Sequence, residues 1–423
     1  MTEILRQSPA ATAPLVCLVS PGHVASTPRL VKNADALAAA GYRVHVVAGR
    51  HFPPADPFDA QIFAGAQWSH STVDWVGGGI GSLGRKLQRR LARELVRRGR
   101  FARRRLAAIA HHAEARRLAA AAAAVPAAFY FGHCLAGLPA AAFAARARGV
   151  RYGFDAEDYH DAETAGLAAD PAELVARQTL QAELLPACAL FTAAAPLISR
   201  QYEQTYGVRP VTVLNVFPLS QAPSAPAVPG AITAERPARL YWFSQTIGPG
   251  RGLEAAIAML GHLRTPAELH LRGFVADDYR ARLESLAAGA GRNRAIRFLA
   301  PGPPAEMVRL AADADLGLSL EENHPLNRDL CLTNKIFVYL LAGVPQLLSD
   351  TTAQTAIASE LGAAALAVRP ADSAETARRV DAFLGDRTGV AAARRSAWDL
   401  ARRRFNWDCE QEKLLAGMRR ILP

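Results

Sequence analysis

Short apolar runs alternate with longer stretches in which apolar residues return every three or four positions, and the alternation continues along most of the chain. In the first half the runs PLVCLVS (14–20), RVHVVAG (43–49), AFYFG (128–132), RYGFD (151–155), ALFTAA (189–194) and PVTVLN (210–215) read as strands. Several have no polar residue at alternate positions, as expected of parallel strands covered on both faces. Between them, Leu30–Ala40 and Ala136–Arg148 read as helices, each followed by a glycine (Gly41, Gly149) suited to a helix end. A second series follows: RLYWFS (239–244), ELHLRG (268–273), AIRFLA (295–300), LGLSL (316–320), QLLS (346–349) and AALAV (364–368). Strands alternating with helices in this way predict an α/β class with parallel sheets.

The two series are separated by QAPSAPAVPGAITAERP (221–237), which holds four prolines and no periodic pattern. Such a stretch reads as a linker. At 423 residues the chain is long for a single core. The expected architecture is therefore two doubly wound Rossmann-like domains facing across a cleft. Residues 1–220 form the first, 221–237 the linker and 238–400 the second; a C-terminal helix, 401–423, is expected to pack back on the first. Ligands of such sheets bind beyond the carboxyl ends of the strands.

Charge changes the picture at one place. The stretch from Gly84 to Arg117 holds thirteen Lys/Arg against Glu94 and Glu114, an excess equal to the net +11 of the whole chain. Leu87, Leu91 and Leu95, then Ala102, Leu106, Ile109 and Ala113 after Gly99, make an apolar stripe with arginines on the other faces. The segment 84–117 thus reads as an amphipathic basic helix, or a pair broken at Gly99, suited to an anionic membrane surface. A plain solvated helix is the simpler alternative. Nucleic acid is disfavoured, because Phe101 is the single aromatic there and no zinc-finger spacing occurs.

No run approaches the roughly 18 apolar residues of a membrane span, and the N-terminal apolar run is short for a signal peptide. The five cysteines (Cys17, Cys134, Cys188, Cys331, Cys409) are scattered without metal-ligand or disulfide spacing. These features predict a cytoplasmic protein, peripheral to the inner face of the cell membrane, with no metal and no cofactor. The Asp313–Asp315 pair reads as structural.

In order along the chain, five stretches resemble the GT-B glycosyltransferases, in particular the retaining family 4-like group that includes sucrose synthase and many bacterial envelope and exopolysaccharide transferases. They are SPGHVASTPRLVKNADALAAAGYRVHVV, FYFGHCLAGLPAAAFAARARGVRYGFDAEDYHD, LLPACALFTAAAPLISRQYEQTYGVRPVTVLNVF, RLYWFSQTIGPGRGLEAAIAML and AADADLGLSLEENHPLNRDLCLTNKIFVYLLAGVP. The resemblance spans nearly the whole chain and rests on the order of the motifs. It implies transfer of a hexose from a nucleotide-diphosphate sugar to an acceptor hydroxyl, with retention and without a metal. The acceptor would be a lipid-linked or envelope glycan.

Candidate site residues follow. Lys335, at the start of a predicted helix Ile336–Ala342, stands where backbone N–H groups and the helix dipole already favour an anion. Arg251, in GPGRG, would be the second cation on the leaving diphosphate. The resemblance places Glu321 and Glu322 near the reacting sugar. Asn327 and Asn334 are candidate partners of sugar hydroxyls, and Gly22, Gly250 and Thr333 complete the expected donor side. His133 at a strand end is a catalytic candidate, and His23 and Asp158 lie on the acceptor side. Three positions depart from the family pattern. Val338 replaces the second glutamate of Glu-x7-Glu, Thr246 stands where an arginine is common, and Glu157 replaces the histidine of Asp-x-His-Asp. A catalytically inactive binding or scaffold relative is the alternative these departures leave.

Overall fold

A computed structural model describes residues 13–76, 80–98, 104–163, 170–291 and 295–423. They form two compact units: residues up to Val213 together with Gln411–Pro423, and Leu214–Glu410.

Among the described residues the first unit carries a seven-stranded parallel sheet. Its strands are β1 (Leu15–Val19), β2 (Arg43–Arg50), β3 (Ser69–Asp74), β4 (Phe129–His133), β5 (Arg151–Ala156), β6 (Leu190–Ala193) and β7 (Val211–Thr212), in the order β3-β2-β1-β4-β5-β6-β7. In register, Val16 faces Val44 on one side and Phe129 on the other. Strand β4 is buried from end to end and β1 from Val16 to Val19, which explains their unbroken apolar runs. Edge strand β3 buries only Val73, so SHSTVD has no apolar signature and is absent from the expected strands. Helix Cys134–Arg148 packs hard on the sheet. A Cβ on Gly132 would stand 2.5 Å from the Gly137 backbone, and one on Gly137 would stand 2.6 Å from the Val19 carbonyl oxygen. The last residues belong to this unit: Arg151 donates to the Ile421 carbonyl and Tyr42 to that of Leu422.

The second unit carries a six-stranded parallel sheet of β8 (Ala238–Ile247), β9 (Ala267–Val275), β10 (Ile296–Leu299), β11 (Leu316–Ser319), β12 (Gln346–Leu348) and β13 (Ala365–Ala367), in the order β10-β9-β8-β11-β12-β13. Its core joins Leu240, Trp242, Leu269, Leu271, Leu316, Leu318 and Leu347 to the apolar faces of helices Leu253–His262 and Ser373–Gly385. The Pro-rich stretch 221–237 lies along this unit. Trp398 donates to the Pro223 carbonyl, Arg394 to that of Ala227 and Arg387 to that of Gly230.

Both sheets reverse their winding at the same place. The first and fourth strands of each unit, β1 with β4 and β8 with β11, are neighbours, and later strands add outward from there. Loops leaving their carboxyl ends diverge to opposite faces, opening a crevice where such folds bind ligands.

Candidate functional site

In the second unit the crevice is lined by the loop after β8 and the residues after β11. Gly252, at φ 70°, is pressed so closely on β11 that a Cβ would lie 1.9 Å from the Leu320 carbonyl oxygen. That contact sets Arg251 beside Glu321, and Gly250 3.8 Å, measured from its absent Cβ, from the exposed Glu322 carboxylate. Gly250, Arg251, Glu321 and Glu322 are thus brought together.

Lys335 joins them from below. It lies in helix Asn334–Leu341, which starts two residues before the predicted Ile336, with Thr333 as N-cap. Its ammonium sits 2.8 Å from Glu321 Oε1, and 5.4 Å from the centre of the Trp242 ring. Arg328 reaches the other carboxylate oxygen at 3.0 Å. Burial alone would push the Glu321 carboxyl up; the charges of Lys335, Arg251 and Arg328 outweigh it and hold the group below its usual range. Three cations therefore surround one buried carboxylate. The Thr333 hydroxyl lies 3.1 Å from that of Ser319, at the end of β11. Asn327 is buried and Asn334 half-buried on either side of this turn. Val338 is fully buried, in the apolar body of the same helix. Arg328 and Trp242 have no place among the sequence candidates. Arg328 was legible only as one more polar loop residue, and Trp242 as a core strand residue.

Asp315 is buried and accepts from the Arg239 backbone N–H at 3.0 Å, while the Asp313 side chain points to solvent. Among the described residues no group of three His, Cys, Asp or Glu is arranged to hold a metal ion.

The corresponding edge of the first unit gathers Gly22 and His23 after β1, His133 at the end of β4 and Asp158 after β5, on three adjacent strands. The His23 ring is wholly engaged. Its Nδ1 lies 2.6 Å from Asp59, and the N–H groups of His51 and Phe52 donate to Nε2 at 3.0 and 2.9 Å. It fastens the β1 loop to the residues that follow β2. The Gly22 N–H is held by the Ser20 hydroxyl at 3.2 Å.

His133 differs. Only 1 % exposed, it sets Nδ1 3.3 Å from Asp155, while Nε2 is buried without a hydrogen-bond partner among the described residues. Asp155 is the anchor of this edge. Arg29 grips it with two bonds of 2.6 and 2.8 Å and donates a third, of 2.6 Å, to the Val213 carbonyl. Burial pushes the neighbouring Glu157 carboxyl up to about 7, aided by Asp158. Burial and the Arg29 charge bring the Lys32 ammonium down to about 7. Cys134, in the left-handed region at φ 54°, has its thiol pushed well up by burial and by the carboxylates of Glu157, Glu163 and Asp158.

No protein-family model matches this chain, and no curated protein does. Solved structures do. HepE of Anabaena, crystallised with UDP and glucose, superposes with a TM-score of 0.68 at 15 % identity, covering 96 % of this chain and 98 % of that one. Sucrose-phosphate synthase of Thermosynechococcus elongatus gives 0.67 at 12 %, over 96 % and 98 %. A UDP-forming trehalose-phosphate synthase of Burkholderia xenovorans gives 0.63 at 13 %, over 97 % and 100 %. Identities this low carry the fold and no narrower family. With its two Rossmann-like units and their matching strand orders, the chain has the GT-B fold.

Proposed function

We propose that the chain is a glycosyltransferase that takes its sugar from a nucleotide-diphosphate donor bound on the second unit. The observation that carries the reading is the meeting of Arg251, Arg328 and Lys335 around Glu321 at the point where the second sheet reverses its winding. A diphosphate entering that crevice meets fixed positive charge, and the same charge stabilises it as a leaving group when the glycosidic bond breaks. Lys335 is buried against Trp242, so the half-buried guanidiniums of Arg251 and Arg328 are the groups nearest solvent. The HepE structures with UDP, glucose and UDP-glucose support the donor class.

Departure of the diphosphate on the face from which the acceptor attacks gives retention, and no separate general base is then required. His133 Nε2, buried and without a hydrogen-bond partner among the described residues, is the group on the first unit suited to an acceptor hydroxyl. A lipid-linked or envelope glycan is the acceptor we favour, in keeping with the likeness to the lipopolysaccharide outer core galactosyltransferase WaaB. A second reading is a nucleotide-binding protein without transfer. It is favoured by Val338, fully buried where the resemblance expects a ribose-binding carboxylate.

Thermal unfolding with UDP, GDP, ADP and dTDP and their sugars tests the proposal, since a ligand of the native state raises Tm. One nucleotide series should raise Tm, and Arg251→Ala should weaken that ligand at least tenfold. Release of free nucleotide diphosphate from the donor then separates transferase from binder. No shift with any nucleotide would defeat both readings.

A further inference from the structure

Not all of the charge in the basic segment faces solvent, and its leucines do. In helix Ile80–Arg97 the leucine stripe faces solvent: Leu83 is 70 % exposed, Leu87 and Leu91 58 % each, and Leu95 39 %. The inner face is made by Ala92 and Val96, both buried, and by arginines. Arg85 bonds Glu114 at 2.6 Å, and Arg89 donates to the carbonyls of Ala110 and His111. Arg93 donates to the Ala110 carbonyl and pairs with Asp170 and Glu173. Those three arginines are clasps to the body of the unit. The sequence puts arginines on the faces away from the leucine stripe; among the described residues three of them are engaged with the body of the unit rather than with solvent. The break at Gly99 lies outside them.

What remains outside is a ridge of four leucines about 18 Å long, at 1.5 Å per residue. At 100° per residue, Lys86, Arg90 and Arg97 run along one flank of it and are exposed. The carboxylate on this face, Glu94, is neutralised by Arg97 and by Arg98, whose Nε lies 2.8 Å away. Leu174 and Val175 are also exposed, on the helix Pro171–Leu184 to which Arg93 ties the ridge. Six of the twelve exposed large hydrophobics of the described residues thus fall on two joined helices. Patches of this kind mark a surface that something covers.

We propose that the occupant is an anionic lipid bilayer, into whose interface this helix presses its leucines while Lys86, Arg90 and Arg97 meet the headgroups. An apolar stripe edged by long cationic side chains is the chemistry of a helix lying in the membrane plane. A second protein copy would have to place the same cationic flank against itself, which like charge opposes. Among the described residues no helix is long and apolar enough to cross a membrane, so attachment through this ridge is lateral. The proposal does not depend on sugar transfer.

The test uses the full chain with vesicles of phosphatidylcholine containing 30 mol % phosphatidylglycerol. The wild-type protein should co-sediment with them, and part of that binding should survive 0.5 M salt, because apolar insertion is not screened. The double variant Leu87→Gln/Leu91→Gln should weaken vesicle partitioning at least tenfold, while Leu87→Ile/Leu91→Ile retains it. Both changes sit at exposed positions, and circular dichroism and Tm should match the wild type. Vesicle binding unaffected by Leu→Gln would overturn the proposal. So would binding wholly lost in salt, or a dimer in sedimentation that Leu→Gln disperses without any vesicle binding.

Discussion

The Lys335 ammonium and the Glu321 carboxylate stand 2.8 Å apart, with side chains only 4 % and 2 % exposed. A cation at a helix start reads as a solvent-facing charge; here it is half of a buried pair and lies over the Trp242 ring. Removing one member of such a pair strands the other without water.

Lys335→Met and Glu321→Gln should therefore each destabilise the fold, the first by about 3 kcal/mol, since Arg328 still holds the carboxylate. The double variant should lose less than the two singles together, by at least about 1 kcal/mol. Urea unfolding of the four proteins closes this cycle. Strict additivity would show that the two charges do not act on each other. Loss of activity in Lys335→Met must accordingly be read against its stability.

Asp155 predicts the behaviour in acid. Burial would push its carboxyl up, but the Arg29 guanidinium and His133 outweigh this and hold it far below the usual range. A depressed folded value means that the stabilisation is complete above the unfolded pKa, about 4, and is lost as pH falls through the folded one. Wild-type Tm should thus decline below about pH 4. Asp155→Asn, which leaves Arg29 buried without its anion, should cost about 3–5 kcal/mol at pH 7 and flatten that decline. A pH profile of Tm for the two proteins decides it.

Glu157 predicts the opposite slope. Its folded value is raised to about 7, so the folded state favours the protonated form. That contribution is present below the unfolded pKa, about 4.3, and disappears as pH rises through 7. Glu157→Gln should match the wild type near pH 4 and be the more stable protein at pH 8, by up to a few kcal/mol at the limit of 1.36 kcal/mol per pKa unit. Equal Tm values at both pH values would mean that the carboxylate is compensated where it stands.

The strands β1, β4 and β11 and the stretch Leu240–Phe243 of β8 were legible in the sequence because burial on both faces favours unbroken apolar runs, and the crevice residues follow directly from where those strands end. Edge strand β3 was not, because exposed positions accept Ser, His and Thr freely. Helix periodicity shows that Ile80–Arg97 has a leucine face and an arginine face. It does not say which one turns inward, for that is set by Glu114, Asp170 and Glu173, carried on later segments. Likewise GPGRG and Lys335 were found by local pattern, whereas their meeting at Glu321 depends on β8 and β11 lying side by side.

That meeting rests on Gly252. The residue combines φ 70° with a site where a Cβ would lie 1.9 Å from the Leu320 carbonyl oxygen and 2.7 Å from its Cβ. Gly41 has φ 93° and open space around it. Gly41→Ala should therefore cost only the left-handed backbone penalty, about 1–2 kcal/mol. Gly252→Ala adds a backbone collision that no rotamer relieves, bringing the cost to about 3 kcal/mol or more, unless the loop moves away from β11. Movement would carry Arg251 off Glu321, so the variant should either unfold early or stay folded with weakened nucleotide binding. Urea unfolding measures the first outcome, and nucleotide titration of the folded fraction the second. A Gly252→Ala protein as stable as Gly41→Ala, binding nucleotide as the wild type does, would show that the loop does not set the position of Arg251.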